Sequence, residues 1–255
     1  MSSQEKYISN LQVSTSRPIK EIGFISRFAH GIPETQYIHD GIQILLNDVF
    51  AVAEHIIINF ECEVTERLAR QINRHRHISI IQQSTRYNNY YQKNLKYWLP
   101  KELMNYPEIE EYLTYTQIKR DEIQEKYHLT PEEINYLIPL CTTTNIHYTL
   151  NLRTVLHMFS IRSCDFAMQE FRDLLEELKQ KLRNIGRTYG EWEFIMHFFT
   201  SCKFKFKDYT KKQEYQMLYD SYNKEYLNNK SIKYNGEEFE NRLKLMNIYK
   251  ELCHL

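Results

Sequence analysis

The sequence predicts an α+β fold, and three stretches carry that prediction. Ile58, Phe60, Cys62 and Val64 alternate with Asn59, Glu61 and Glu63, the period of two that a half-buried strand requires. Ile38, Ile42, Leu45, Leu46, Val49, Phe50 and Ala53 recur instead at the three-and-four spacing of a helix face. Ala167, Phe171, Leu174, Leu178 and Leu182 repeat that helical spacing along a second, longer segment.

In chain order, residues 1–20 are polar and irregular and are expected to pack loosely. The helix from Ile38 leads to the strand, and a second helix follows at once, with Thr65 as its N-cap and Val64, Leu68 and Ile72 along one face. Arg70, Gln71 and Arg74 lie on its other side, and the chain then runs from the helix C-terminus into an extended loop. Pro100 and Pro107 punctuate a tyrosine- and charge-rich stretch with two helices. Thr130-Pro131-Glu132-Glu133 combines a capping box with proline at the first helical position, which predicts a helix from Pro131 that Pro139 stops or kinks. Helical stretches over about 148–159 and 163–187 follow, and the last sixty or so residues read as polar helix. Without an internal repeat or a clear linker, the expectation is one domain over 21–190, an irregular segment before it, and a helical C-terminal extension over 191–255.

Composition narrows the function classes. At 255 residues the chain is ample for a hydrophobic core. Its 33 basic and 33 acidic residues balance, so there is no global pull toward nucleic acid or an acidic membrane. No run approaches the roughly 18 apolar residues that span a bilayer. The opening Met1-Ser2-Ser3-Gln4-Glu5-Lys6 lacks the pattern of a secretory leader. Five widely spaced cysteines (Cys62, Cys141, Cys164, Cys202, Cys253) without a CxxC pair point to reduced thiols in a cytoplasm. With six glycines and neither a GxGxxG nor a GxxxxGK[ST] run, any nucleotide has to be held by side chains and helix ends. His55, His75 and His77 lack the further ligands of a metal site. Lys203, Lys205, Lys207, Lys211 and Lys212 between aromatics leave RNA contact as a minor alternative to a solvated face.

The chemistry concentrates in residues 74–87. Arg74, His75, Arg76, His77, Ser79, Ser84 and Arg86 bring three arginines, two histidines and two serines into fourteen residues. Arginines fork onto phosphate oxygens, and serine hydroxyls donate or accept beside them, so the segment fits a phosphorylated ligand. Its plainer explanation is a solvated basic helix end, since cations favour helix C-termini.

The order Arg74-His75-Arg76, seven residues, Ser84, then Arg86-Tyr87 resembles the signature of the flavin-dependent thymidylate synthases, the ThyX family. The likeness continues in register through Glu54-His55, Arg70-Gln71, Trp98-Leu99-Pro100, Ile138-Pro139-Leu140, Asn151-Leu152-Arg153 and Ile161-Arg162. It covers about residues 22–185, with 101–130 as an unmatched insert. The resemblance implies an antiparallel sheet flanked by helices and a homotetramer whose sites draw on several subunits. It implies methylation of the uracil ring of dUMP, using FAD with NADPH and methylene-tetrahydrofolate as co-substrates. Arg74, His75 and Arg76 would line FAD, and Asn151, Arg153 and His157 would contact the flavin nucleotide. Gln71, Gln82, Ser84 and Arg86 would hold the substrate, and Arg162 would grip the uracil edge as the catalytic residue. An arginine there draws charge onto N3 and O4 and so activates C5 without a cysteine nucleophile.

The sequence departs from the family at several of these positions. Ile81-Gln82 stand where the family has Asn-Glu, and Asn135 stands where it has a substrate-binding arginine. Phe166 replaces a histidine, His157 replaces a flavin-contacting asparagine, and Val49-Phe50-Ala51 replace His-x-Ser/Thr. Two alternatives therefore stay open: a flavoprotein of the same fold acting on another uracil nucleotide or nucleoside, and a non-catalytic nucleotide- or RNA-binding homologue.

Overall fold

The computed structural model describes residues 7–47, 49–86 and 95–200. Tyr87, the lysine-rich run at 203–212 and nearly all of the C-terminal extension lie outside the described residues. The centre of the fold is a four-stranded sheet of order β1-β2-β4-β3, antiparallel throughout, built from β1 (Ile8–Val13), β2 (Ile57–Thr65), β3 (Ile78–Gln82) and β4 (Thr143–Asn151). Helices α1 (Pro18–His30) and α2 (Tyr37–Leu46) join β1 to β2, and α3 (Glu66–Ile72) joins β2 to β3. Then come α4 (Lys101–Met104), α5 (Pro107–Tyr127) and α6 (Pro131–Ile134), and after β4 come α7 (Leu152–Arg162), α8 (Gln169–Arg183) and α9 (Glu191–Phe198).

Strand β2 follows its sequence pattern, with Ile58, Phe60, Cys62 and Val64 buried. Thr65 caps α3 as expected, its hydroxyl accepting from the Leu68 amide at 3.0 Å. The Thr130 capping box is present in full. The helix that begins there ends at Ile134 and passes through a single 3-10 turn, Asn135–Leu137, before Pro139.

Five expectations need correction. The helical run read from Ile38 to Ala53 ends at Leu46, and Ala53 belongs to a separate 3-10 turn, Val52–His55. The stretch read as helical over 148–159 is strand as far as Asn151, and the helix starts at Leu152. All nine residues of β4 pair with β2, and Thr144, Ile146, Tyr148 and Leu150 are buried between the exposed Asn145 and His147. The long helix starts at Gln169 rather than 163, which leaves Arg162 as the last residue of its predecessor. The extended loop after the Arg-His-Arg run is edge strand β3, hydrogen-bonded to β4 from Ile78↔Leu150 to Gln82↔Ile146. The segment read as irregular before residue 20 contains β1, whose register shifts between Ser9 and Gln12 around Asn10 at φ +50°.

Three buried or part-buried carboxylates tie distant segments together. Glu177 accepts from the amides of Tyr7 and Ile8 at 2.6 and 3.1 Å and so anchors β1 on α8. Glu170 accepts from the Thr65 amide and hydroxyl at 2.7 and 2.6 Å, and burial pushes its carboxyl up to about 7. Helix α1 has no side-chain cap of its own. Glu191 of α9 supplies the acceptor, meeting the amides of Ile19 and Lys20 at 2.9 and 3.0 Å. Trp192, Ile195 and Met196 of α9 are fully buried in the same core as β2 and α8, so helix α9 itself packs on that core. Helices α1 and α2 touch backbone to backbone. A Cβ on Gly23 would lie 1.8 Å from the Tyr37 carbonyl oxygen, and one on Gly41 would lie 2.1 Å from that of Ile19.

Candidate functional site

The chain leaves α3 at Ile72, turns through His77 in the left-handed region (φ +62°), and enters β3. A β-carbon disfavours that conformation by roughly 1 kcal/mol, so the surrounding packing imposes the turn. It sets His75 against α7 and α8. The His75 ring stands edge-on to His157 at 6.0 Å and to Phe171 at 5.9 Å between centroids. The Arg162 guanidinium lies 5.7 Å from the centre of the same Phe171 ring, within cation–π reach. Burial first, then the charges of Arg162 and His157, hold the His75 imidazole down at about 4, so it is neutral at physiological pH. Both His75 Nε2 and Arg162 Nε are buried without a hydrogen-bond partner. Such atoms are costly in a folded chain and are what a polar ligand atom would satisfy.

Of the residues picked out in the sequence, His75, His157 and Arg162 come together here. Gln71 is close by, its amide nitrogen 3.1 Å from the sulfur of Met168 at the head of α8. Arg74 and Arg76 are exposed on the turn itself. Phe171, read from sequence as a core residue, turns out to be the shared wall of the cluster. Its helical spacing carried no sign of that.

The remaining predicted residues lie elsewhere. Asn151 caps α7, accepting from the Thr154 amide at 2.9 Å, and Arg153 forms an ion pair with Glu54 at the same end. Nine residues of helix place Arg153 roughly 14 Å along the axis from Arg162. The other group sits at and just past the far end of β3. There Gln82 donates to both Glu66 oxygens at 3.3 and 3.2 Å, and the Ser84 hydroxyl accepts from the Arg86 amide at 3.1 Å. The Arg86 guanidinium forks onto Glu132 at 2.9 and 3.0 Å. Asn135 donates to the Thr85 carbonyl, which fixes the turn. At about 3.3 Å per strand residue, this turn is some 20 Å from the start of β3.

A 520 Å³ cleft over the sheet is lined by Tyr7, Ser9, Glu61, Glu63, Ile81 and His147 and touches none of these predicted residues. Burial raises the thiols of Cys62 and Cys141, the opposite of an activated nucleophile. Among the described residues no cluster of three or more His, Cys, Asp or Glu could hold a metal, and no helix is long and apolar enough to cross a membrane.

Residues 24–185 match the family described as thymidylate synthase complementing protein. The chain is similar to the flavin-dependent thymidylate synthase of Thermococcus onnurineus, at 30% identity over 132 residues, 49% of this chain and 53% of that protein. It is also similar to the flavin-dependent thymidylate synthase of Sulfurisphaera tokodaii, at 31% over 158 residues, 57% and 59% of the two chains. The chain thus matches between half and three-fifths of the length of these curated relatives. Among solved structures it resembles thymidylate synthase X from Helicobacter pylori with FAD and dUMP, with a TM-score of 0.58 at 17% identity, covering 74% of this chain and 99% of that one. That likeness shows the shared fold. The family match runs from within α1 to just past α8 and takes in the sheet, the turn at His75 and the helices bearing Arg162 and Phe171, so the chain belongs to the thymidylate synthase complementing protein family.

Proposed function

We propose that the chain assembles as a homotetramer and acts as a flavin-dependent thymidylate synthase, methylating C5 of the uracil ring of dUMP with FAD as cofactor and methylene-tetrahydrofolate and NADPH as co-substrates. The observation that carries this reading is Arg162, a permanent cation ending a rigid helix, with a buried and unpartnered Nε beside a neutral imidazole and a phenyl ring. The donor set fits a flavin nucleotide and a pyrimidine. Arg74 and Arg76 are exposed cations for phosphates, His75 Nε2 is an unmet ring nitrogen, and the fully buried Phe171 ring backs it.

Bound flavin supplies the hydride, chemistry that amino-acid side chains lack. The protein's task is to make C5 nucleophilic and keep it in place. Arg162 does the first by drawing charge onto the N3–O4 edge, where its forked donors act most strongly with water excluded. The neutral His75 adds no second charge to compete with it. Asn151, Arg153 and His157 serve the flavin nucleotide. Gln71, Gln82, Ser84 and Arg86 hold the substrate, and Arg86 exchanges Glu132 for the phosphate.

The tetramer has its own support. The 20 Å between the turn at Ser84 and the start of β3 is more than one protomer bridges with a single nucleotide. Exposed apolar groups such as Phe166 (95%), Tyr136 (85%) and Ile81 (75%) supply surface for subunit contacts. No disulfide links Cys62, Cys141 and Cys164, which accords with a cytoplasmic location. One observation favours a second reading: Gln82, which stands in the family's glutamate position, is turned onto Glu66, which fits a different sugar on the uracil nucleotide.

The test is assay of the purified full-length protein with FAD, NADPH and methylene-tetrahydrofolate, offering dUMP and UMP separately. Methylated dUMP together with a flavin absorbance band is the expected result. Methylation of UMP alone selects the second reading, and a colourless protein that methylates neither overturns both.

A further inference from the structure

The inserted helix α5 reaches the substrate-side turn through one buried cation. Most of its surface is exposed, including Tyr112, Tyr115, Ile118 and Tyr127, yet Arg120 is only 1% exposed. A guanidinium does not shed its charge to escape burial, and here its two terminal nitrogens find acceptors while the buried Nε has none. The Arg120 Nη2 donates to the Asn135 side-chain oxygen at 2.5 Å, and Nη1 faces the Asp121 carboxylate at 3.3 Å. The other end of the Asn135 amide donates to the backbone carbonyl of Thr85. Thr85 lies between Ser84 and Arg86. Arg86 in turn forks onto Glu132, three residues before Asn135 in the same short helical unit. Two links therefore join the 84–86 turn to the 131–137 unit, and Arg120 orients one of them from behind.

We propose that Arg120 and Asn135 are positioning residues. They hold the Thr85 carbonyl so that the Ser84 hydroxyl and the Arg86 guanidinium are presented together, which makes phosphate affinity depend on helix α5. An amide is well suited to the middle of this chain because it accepts from a cation at one end and donates to a carbonyl at the other. The inference rests on the reading of the turn as the phosphate grip.

The experiment uses the full-length, FAD-loaded protein with Asn135→Ala, Arg120→Lys and the double variant. It measures affinity for dUMP and for 2′-deoxyuridine, and amide hydrogen exchange of residues 84–86 without nucleotide. The Asn135→Ala change is expected to weaken dUMP binding on the order of tenfold, the size of one lost hydrogen bond to a positioned group, and deoxyuridine binding by less than about twofold. Exchange at the turn quickens and the flavin band is unchanged. Arg120→Lys keeps the charge and gives a smaller loss of the same selectivity. The double variant is no worse than Asn135→Ala, because both substitutions act on one chain of contacts. Equal losses for dUMP and deoxyuridine, additive losses in the double variant, or unchanged exchange at the turn would each overturn the proposal. If the wild type binds neither compound, the proposed function fails. The exchange measurement still decides here: quickened exchange in Asn135→Ala supports the positioning chain, and unchanged exchange refutes it.

Discussion

The two ends of strand β3 hold their polar groups in opposite conditions. At its start, His75 Nε2 and Arg162 Nε are buried against Phe171 with no protein partner. At and past its far end, Gln82 rests on Glu66, Arg86 on Glu132, and Asn135 on the Thr85 carbonyl. An unmet buried group costs the folded state something, and under the proposed function a ligand offsets that cost, so the group is preorganised for binding. A group already paired costs little in folding but must release its partner first. The first end trades stability for readiness, and the second trades readiness for order.

The strongest way to break this contrast is at Arg162. If its unmet guanidinium is expressed mainly in the transition state, Arg162→Ala lowers turnover by roughly 10²–10³ and lysine does not rescue it, because a point charge cannot make two parallel hydrogen bonds. Full turnover in the alanine variant refutes the role.

Next in size is His75. Phenylalanine fills the same space without the unmet nitrogen, so His75→Phe should stabilise the ligand-free protein by about 1 kcal/mol, roughly 2–4 °C in Tm, while weakening flavin binding. The pH dependence gives a second readout. The native imidazole is held near 4, below the ordinary value of 6.5, so the unfolded chain binds more protons between those values. This group's contribution to stability is complete above about 6.5 and is lost as pH falls toward 4. The variant should show a shallower acid decline over that window in denaturant titrations, and identical slopes would count against a neutral buried His75.

The smallest effect tests the paired end. Removing Glu132 frees the Arg86 fork. An exposed pair of this kind is worth at most about 1 kcal/mol, so Glu132→Ala should tighten dUMP roughly two- to fivefold without altering deoxyuridine. Weaker dUMP binding would mean that Glu132 holds Arg86 in its working pose rather than competing for it.

The legible parts of the molecule are those written in local chemistry. Alternation at Ile58, Phe60, Cys62 and Val64 marked β2, the Thr65 hydroxyl marked the start of α3, and Thr130 with Glu133 marked a full capping box. The arginines and serines of 74–86 offer anion-binding donors because that capacity is a property of residue type. The family resemblance implied His75 for the flavin and Arg162 for the uracil edge, and in the structure both lie against the Phe171 ring.

What sequence alone left undecided depends on partners far away in the chain. Strand β4 carries its own alternation of Thr144, Ile146, Tyr148 and Leu150, but it runs directly into helix α7, and the helical spacing reads back over its end. Strand β3 reads as a loop until β4 supplies its hydrogen bonds, because an edge strand of five residues has too little alternation to declare itself. Helix α1 lacks a cap until Glu191 meets Ile19 and Lys20 from about 170 residues further on, and Glu177 does the same for Tyr7. The sequence by itself thus determined the α+β class, the capped helix starts and the presence of anion-binding groups, all consequences of nearest-neighbour spacing and residue type. Only the tertiary structure decided which strands pair, which carboxylates close distant helix ends and which binding groups are left unmet. Backbone amides and buried ring nitrogens accept whichever partner packing brings within 3 Å, and no local pattern specifies that partner.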